Sequence, residues 1–228
     1  MLREVLRREI LDGEMMPEDR AAELRDIDRL SAWFGGHALT LRKISKIASD
    51  RSGDVPFLVA DVGGGTAGLA SRLARRERVP LRVIVVDRDH DALTAGREAA
   101  RGCRDLHFVC ADAAALPLRQ KSVDIVTASL LLHHMVPDGV VAVLREMGRV
   151  ARHALVVNDL LRNRTALALV WLGTRLFAKT RMARHDGPLS VRRAYSAEEI
   201  QSFGRAAGFT RMSVRSYRVL ARLIAVMS

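Results

Sequence analysis

Phe57-Leu58-Val59-Ala60-Asp61-Val62-Gly63-Gly64-Gly65-Thr66-Ala67-Gly68 is the stretch that decides the fold. A short apolar run ends in one acid, Asp61, and three consecutive glycines follow. Leu69-Ala70-Ser71-Arg72-Leu73-Ala74 then reads as helix. This is the pattern of a buried parallel strand that turns sharply into a helix, with side chains removed at the bend. Such a bend lets a small ligand approach main-chain N–H groups at the carboxyl end of a sheet.

The spacing Gly63-x-Gly65-x-x-Gly68 also satisfies the dinucleotide fingerprint. Asp61 argues against that reading. It stands just ahead of the turn, close to where a dinucleotide would place its pyrophosphate, and a fixed carboxylate there repels phosphate. It suits a ligand carrying positive charge, such as an ammonium and a sulfonium.

Outward from this stretch, strands and helices alternate. Strands are expected over 56–62, 81–86, 105–110, 122–129 and 153–158, with helices over 66–77, 90–101, 138–150 and 197–207. That order means a parallel sheet with helices on both faces. Phe209–Tyr217 and Arg218–Val226 are adjacent and β-branched, and read as an antiparallel pair closing the sheet edge. Ahead of the first strand the chain reads as helical. One helix spans Leu2–Leu11. A second opens at Pro17, runs through Leu24, Ile27, Leu30, Trp33 and Phe34, and ends at Gly35-Gly36. A third runs from Leu39 to about Ser49, and Arg51–Asp54 is a turn.

Composition narrows the function classes. The 228 residues are 49% hydrophobic and 28% charged, enough for one sizeable α/β domain. Aromatics make up only 4%, so aliphatic side chains must build the core. No signal-peptide pattern opens the chain. The longest apolar run, near Thr165–Leu172, falls short of the roughly 20 residues of a membrane span. Cys103 and Cys110 have neither metal nor disulfide spacing, so a cytoplasmic location is expected.

The net charge of +11 is unevenly placed. Residues 1–141 carry 21 basic and 21 acidic side chains, whereas residues 142–228 carry 16 basic against 5 acidic. The basic last third could meet an anionic membrane surface, an acidic carrier protein or nucleic acid. Nucleic acid is disfavoured, because no aromatic residues interleave the basic ones and no tight basic run occurs.

With these elements placed, Asp61-Val-Gly-Gly-Gly-Thr-Ala-Gly resembles the first signature motif of class I S-adenosylmethionine (SAM) dependent methyltransferases. The second strand ends in Asp87, 22 residues after Gly65, which fits an acid accepting from both ribose hydroxyls. Its other reading is a helix N-cap, a role Asp89 could equally take. The third strand is followed by Asp112-Ala113, which in the family would contact the adenine edge through the Asp112 carboxylate and the Ala113 N–H. An Asx turn is the competing reading. The fourth strand, Val123-Asp124-Ile125-Val126, resembles a family stretch with Val123 in place of Phe. Ser129 and Leu130 would lie at the cleft floor. The resemblance thus implies SAM as cofactor, held by Asp61, Gly63, Gly64, Gly65, Thr66, Asp87, Arg88, Asp112, Ala113, Ser129 and Leu130. It implies a Rossmann-like α/β fold with a seven-stranded, mostly parallel sheet, a C-terminal antiparallel hairpin and an N-terminal helical cap. Residues 54–228 would form the methyltransferase domain and residues 1–53 the cap.

Leu131-Leu132-His133-His134-Met135 follows the fourth strand at the rim of the cleft. A histidine is the natural base for a hydroxyl acceptor, and His134 or His133 could serve. Packing is the competing reading. Asn158 and Asp159, at the end of the fifth strand, could orient an acceptor or cap the next helix. Residues 162–195 form an insertion with Arg162, Trp171 and Tyr195; with Trp33 they would cover the acceptor. An apolar face with an arginine rim suits a greasy acceptor with a polar or anionic group, or a membrane surface. Ser196 with Glu199 reads as a capping box. The expected activity is methylation of a small, largely apolar molecule. O-methylation of a phenol, enol or quinol leads, as in ubiquinone/menaquinone-type and polyketide-tailoring enzymes. An RNA methyltransferase and a non-catalytic SAM-fold partner are the alternatives. No metal is expected, and either a monomer or a homodimer.

Overall fold

The computed structural model describes Arg3, Glu9, Ile10, Gly13 and residues 16–50, 56–75 and 81–228. Most of the helix expected over Leu2–Leu11, and all of the Arg51–Asp54 turn, lie outside the described residues.

Seven strands form one sheet: β1 (Phe57–Val62), β2 (Leu81–Asp87), β3 (Leu106–Cys110), β4 (Val123–Ser129), β5 (Ala151–Leu160), β6 (Met212–Tyr217) and β7 (Arg222–Met227). Their order is β3-β2-β1-β4-β5-β7-β6, parallel through β5, with β7 antiparallel to both β5 and β6. This is the sheet the resemblance implies. The strands next to the reversal between β1 and β4 have both faces covered, which is why they read as unbroken apolar runs.

Among the described residues eight α-helices flank the sheet: α1 (Pro17–Trp33), α2 (Gly36–Ser49), α3 (Gly68–Ala74), α4 (His90–Ala99), α5 (Pro137–Val150), α6 (Arg164–Phe177), α7 (Arg181–Arg193) and α8 (Ala197–Ala206). On one face Val59, Val85, Ile125 and Val156 pack against Ile44 of α2 and Leu69 and Leu73 of α3. On the other, Val62, Val126, Leu155 and Val157 pack against Leu144 and Met147 of α5 and Ile200 of α8. The period-2 side-chain alternation of each strand feeds both cores.

Several boundaries differ from those expected, each for a local reason. Gly36 does not end α1; it begins α2, because Gly35 alone takes the left-handed conformation, φ 77°. The helix after the glycine turn starts only at Gly68, so Thr66 belongs to the turn. β5 extends to Leu160, which places Asn158 and Asp159 inside a strand rather than at a helix cap. Asn163 caps α6 instead, accepting from Ala166 N at 2.6 Å. In the hairpin, a 3₁₀ turn at Arg218–Leu220 separates the strands and moves the start of β7 to Arg222.

The insertion is a helical hairpin. Thr180 caps α7, and Ser196 with Glu199 forms the expected capping box on α8, each cap contributing about 1 kcal/mol. Gly187 of α7 lets α6 come close: a Cβ there would fall 2.7 Å from Thr174 Cγ2. Buried Asp26 of α1 accepts from Lys179 N at 2.8 Å and Thr180 N at 3.0 Å, which ties α1 to the start of α7. The sheet top is thereby roofed by α1, α6 and α7.

Candidate active site

The floor of the site is the glycine turn. Gly63 has φ 71° and Gly65 has φ 50°, conformations that favour glycine. Gly64 is required by space: a Cβ there would lie 2.6 Å from Val85 Cγ1. The expectation that this turn offers its N–H groups to a ligand is corrected. Gly63 N donates to Val86 O at 2.8 Å, Gly64 N to Val86 O at 3.2 Å, and Gly65 N to Asp87 Oδ2 at 2.8 Å. All three donors are spent on β2. What remains at the turn is negative: the buried carboxyl of Asp61 below it and Asp87 beside it. An anionic pyrophosphate finds no partner here, while an ammonium or sulfonium does.

Burial raises the Asp61 carboxyl to about 7, with Asp87 and Asp28 adding repulsion. Burial also raises Asp87, although hydrogen bonds from Asp89 N and Gly65 N oppose it. A nearby cation would relieve both groups. Ser129 at the end of β4 adds a buried Oγ with no hydrogen-bond partner among the described residues. Leu130 follows at φ 56°. These groups fit SAM, whose positive charges would sit by Asp61 and whose ribose would reach Asp87.

A cavity of about 290 Å³ opens from this floor. Asp61, Gly63, Gly64, Gly65, Thr66, Ser129, Leu130, His133 and His134 all line it. Its roof comes from α1 (Leu24, Ile27, Phe34), α6 (Leu169, Val170) and α7 (Ala183, Gly187). The wall is mostly apolar, with Glu9, Glu23, Asp28, Asp186, His37 and Arg222 as its ionisable side chains. Burial raises the Glu23 carboxyl, which accepts from Thr180 Oγ1. Asp87, Arg88, Asp112 and Ala113 lie outside the cavity lining. Arg88 and Asp112 are exposed, and Asp112 Oδ1 accepts from Ala114 N at 2.7 Å, the Asx turn that competed with the adenine reading.

His133 is the better-placed histidine. It lies in a 3₁₀ turn, Leu132–His134, and is only 3% exposed. Its Nδ1 is 2.6 Å from Asp159 Oδ1. The other Asp159 oxygen accepts from Leu132 N at 2.8 Å and His133 N at 3.3 Å, so one carboxylate fixes both the ring and its backbone. Burial pushes the Asp159 carboxyl up, but the charge and hydrogen bond of His133 outweigh it and hold the group below its ordinary value. Nδ1 is engaged, Nε2 lies 3.8 Å from Glu9 Oε1, and the residue lines the cavity. His134 is the more exposed of the two, with its Nδ1 3.9 Å from Glu9 Oε2.

Glu9, His133 and His134 thus present ligand-type atoms within 4.8 Å of one another, a grouping the sequence reading did not foresee. The Arg193 guanidinium, 3.9 Å from Glu9 Oε1, already supplies positive charge there. We read the group as an ion-pair network around the histidines.

The acceptor-side expectations need most correction. None of Trp33, Asn158, Asp159, Arg162, Trp171 and Tyr195 lines the cavity. Trp33 is 63% and Trp171 50% exposed, on the outer side of the roof helices. Arg162 forks onto Glu199 at 2.9 and 2.8 Å. The Tyr195 hydroxyl donates to Met135 O at 2.7 Å, and Arg3 stacks on its ring at 4.0 Å. Asn158 Nδ2 donates to Gly36 O at 2.7 Å and Thr40 Oγ1 at 2.8 Å, holding α2 to the sheet. Asp159 orients His133 instead of an acceptor. The residues that do face the acceptor space carried no local signal beyond ordinary amphipathic spacing.

Residues 59–154 match the family model described as a methyltransferase domain. No curated protein matches the chain in sequence. Among solved structures, a SAM-dependent methyltransferase from Aquifex aeolicus is 17% identical with a TM-score of 0.62, covering 94% of this chain and 98% of that one. The plantazolicin methyltransferase BamL, solved with a triazolic desmethylPZN analog and SAH, is 15% identical with a TM-score of 0.68, covering 92% and 90%. The CurJ carbon methyltransferase is 14% identical with a TM-score of 0.69, covering 94% of this chain but 61% of that one. At these identities the likeness is one of fold. The chain thus has the class I methyltransferase fold, and residues 59–154 within it match a methyltransferase domain.

Proposed function

We propose that the protein O-methylates a small, largely apolar molecule bearing an acidic hydroxyl, a phenol, enol or quinol of polyketide or quinone type. The observation that carries this reading is the Asp159–His133 pair, buried against a mostly apolar cavity that also reaches the glycine turn. The fold leaves the acceptor atom open, since a carbon methyltransferase shares it. A positioned base is what a hydroxyl acceptor needs.

Bound at the glycine turn, SAM supplies an electrophilic methyl group on a sulfonium. The chain supplies the rest. Asp61 and Asp87 hold the cofactor, and Ser129 adds a hydroxyl at the floor. The apolar faces of α1, α6 and α7 exclude water and orient the acceptor. His133 would take the hydroxyl proton as the methyl passes from sulfur to oxygen, the C–S bond breaking as the C–O bond forms and the thioether leaving. Asp159 fixes the ring orientation and stabilises the imidazolium once the proton is taken. His134 and Glu9 lie next along the wall.

Incubating the protein with methyl-labelled SAM and small-molecule extracts, read by mass spectrometry, tests this. The expected product is a methyl ether whose formation His133→Ala suppresses. Label entering RNA, or none entering any metabolite, would favour the alternative activities. A cytoplasmic enzyme fits this reading, and among the described residues no helix is long and apolar enough to cross a membrane.

A further inference from the structure

Arg222 opens β7 and is 5% exposed. Its Nη2 reaches Ser31 Oγ at 3.2 Å, while Nη1 is buried with no hydrogen-bond partner among the described residues. Burial pulls the guanidinium down to about 10, against the opposing attraction of Asp159. A buried cation without a carboxylate on its free face is a costly arrangement.

The neighbouring element compounds the imbalance. Gly36 is the first residue of α2, and a Cβ on it would fall 2.6 Å from Ser31 Oγ and 3.0 Å from Arg222 Nη2. The guanidinium therefore sits at the N-terminus of a 14-residue helix, the positive end of its dipole. No side chain caps that terminus, and no acid lies in its first turn. The first-turn residue His37 meets Asp28 through Nε2 at 3.1 Å, and its Nδ1 is buried with no partner among the described residues. Ser31, His37 and Arg222 all line the same cavity as Asp61. Two positive features thus converge on one lined space, where Asp28 is taken up by His37 and Arg222 Nη1 has no hydrogen-bond partner among the described residues.

We propose that the N-terminus of α2, Ser31 and Arg222 together form a receptor for a carboxylate. The fork of Arg222 and the free N–H groups of a helix start match a planar two-oxygen anion. Two carboxylates could arrive there: that of the cofactor's amino-acid end, whose ammonium Asp61 would take, or one on the acceptor. The assignment does not rest on the histidine base, and His133→Ala leaves it intact.

Calorimetry on the full chain tests it. The probes are S-adenosylhomocysteine, its decarboxylated analogue, benzoate and benzamide. If the carboxylate is the cofactor's, the wild type prefers S-adenosylhomocysteine to the decarboxylated analogue by about tenfold or more, and Arg222→Met erases the preference. If it is the acceptor's, those two bind alike, benzoate binds the S-adenosylhomocysteine complex about tenfold more tightly than benzamide, and Arg222→Met removes that ratio. Should Arg222→Met fail to fold, Ser31→Ala replaces it, with a smaller reduction expected. The wild-type ratios need no variant at all. Neither ratio exceeding about twofold, or both surviving the substitution, overturns the receptor.

Discussion

The two ends of the cavity were built in different ways. At the cofactor end, Asp61, Gly63, Gly64, Gly65 and Thr66 are near neighbours in sequence, and Asp87 and Ser129 close β2 and β4, the strands on either side of β1. At the roofed end, Leu24, Val170 and Gly187 come from three helices spread over the chain. Parallel strands bring their carboxyl ends together automatically, so the first site follows from strand order. The second depends on how the roof helices lie on the sheet. Substitutions at the two ends should therefore separate cofactor binding from turnover.

The largest effect is expected on the acceptor side. His133→Ala should lower the methyl-transfer rate about 10²–10⁴-fold while S-adenosylhomocysteine affinity stays within about twofold. Asp159→Asn should lose on the order of 10²-fold or more in rate, because the amide no longer selects the tautomer with Nε2 free. Calorimetry beside a rate assay distinguishes this from general damage. If both variants bind S-adenosylhomocysteine normally and turn over normally, the base is elsewhere.

On the cofactor side the opposite pattern is expected. Asp87→Ala should weaken S-adenosylhomocysteine binding by about 10–100-fold, since the ribose partner and the anchor of Gly65 N go together. Unchanged affinity would remove Asp87 from the site.

Asp61 sharpens the comparison through pH. Its folded value of about 7 lies above the ordinary 3.8. Between about pH 4 and 7 the unfolded chain therefore releases this proton first, and the group's contribution to stability falls as pH rises. Above about 7 it is ionised in both states and the loss is constant. A cationic ligand prefers the ionised form. Affinity for S-adenosylhomocysteine should rise by up to about tenfold per pH unit towards 7 and then level off. Asp61→Asn should flatten that slope, and titration in buffers of different ionisation enthalpy should detect the released proton.

Smaller effects mark the limits of each end. Gly64→Ala should destabilise the protein by about 1–3 kcal/mol, because Val85 and the Asp61 carbonyl leave no room for a Cβ. Trp171→Ala should change stability by no more than about 0.5 kcal/mol and leave S-adenosylhomocysteine affinity unchanged, because the ring lies half exposed outside the cavity. A large loss of binding in that variant would return Trp171 to the site.

The sheet, its antiparallel edge and the helices of both faces were legible because apolar periodicity and glycine placement are local properties. Asp61 and Asp87 were legible because an acid at a strand end has a fixed address in a parallel sheet. Trp33, Trp171 and Tyr195 misled because an aromatic ring signals burial or binding without saying which way its helix turns. Their rings pack outward or under Arg3. Asp159 misled in a different way: two more residues of strand turned an expected cap into the partner of His133.

The sequence by itself determined the sheet, the glycine turn and the charge of the ligand that turn accepts, because each follows from a few neighbouring residues. Only the tertiary structure decided that the N–H groups of Gly63, Gly64 and Gly65 are used, that of the adjacent pair His133 is the one held by Asp159, and that Arg222 meets the start of α2. Those facts depend on side chains 26, 191 and more positions apart meeting in one buried space. Burial gives them their force, since a charge unmatched in the interior must find a partner, and no local pattern records which residues the fold will bury together.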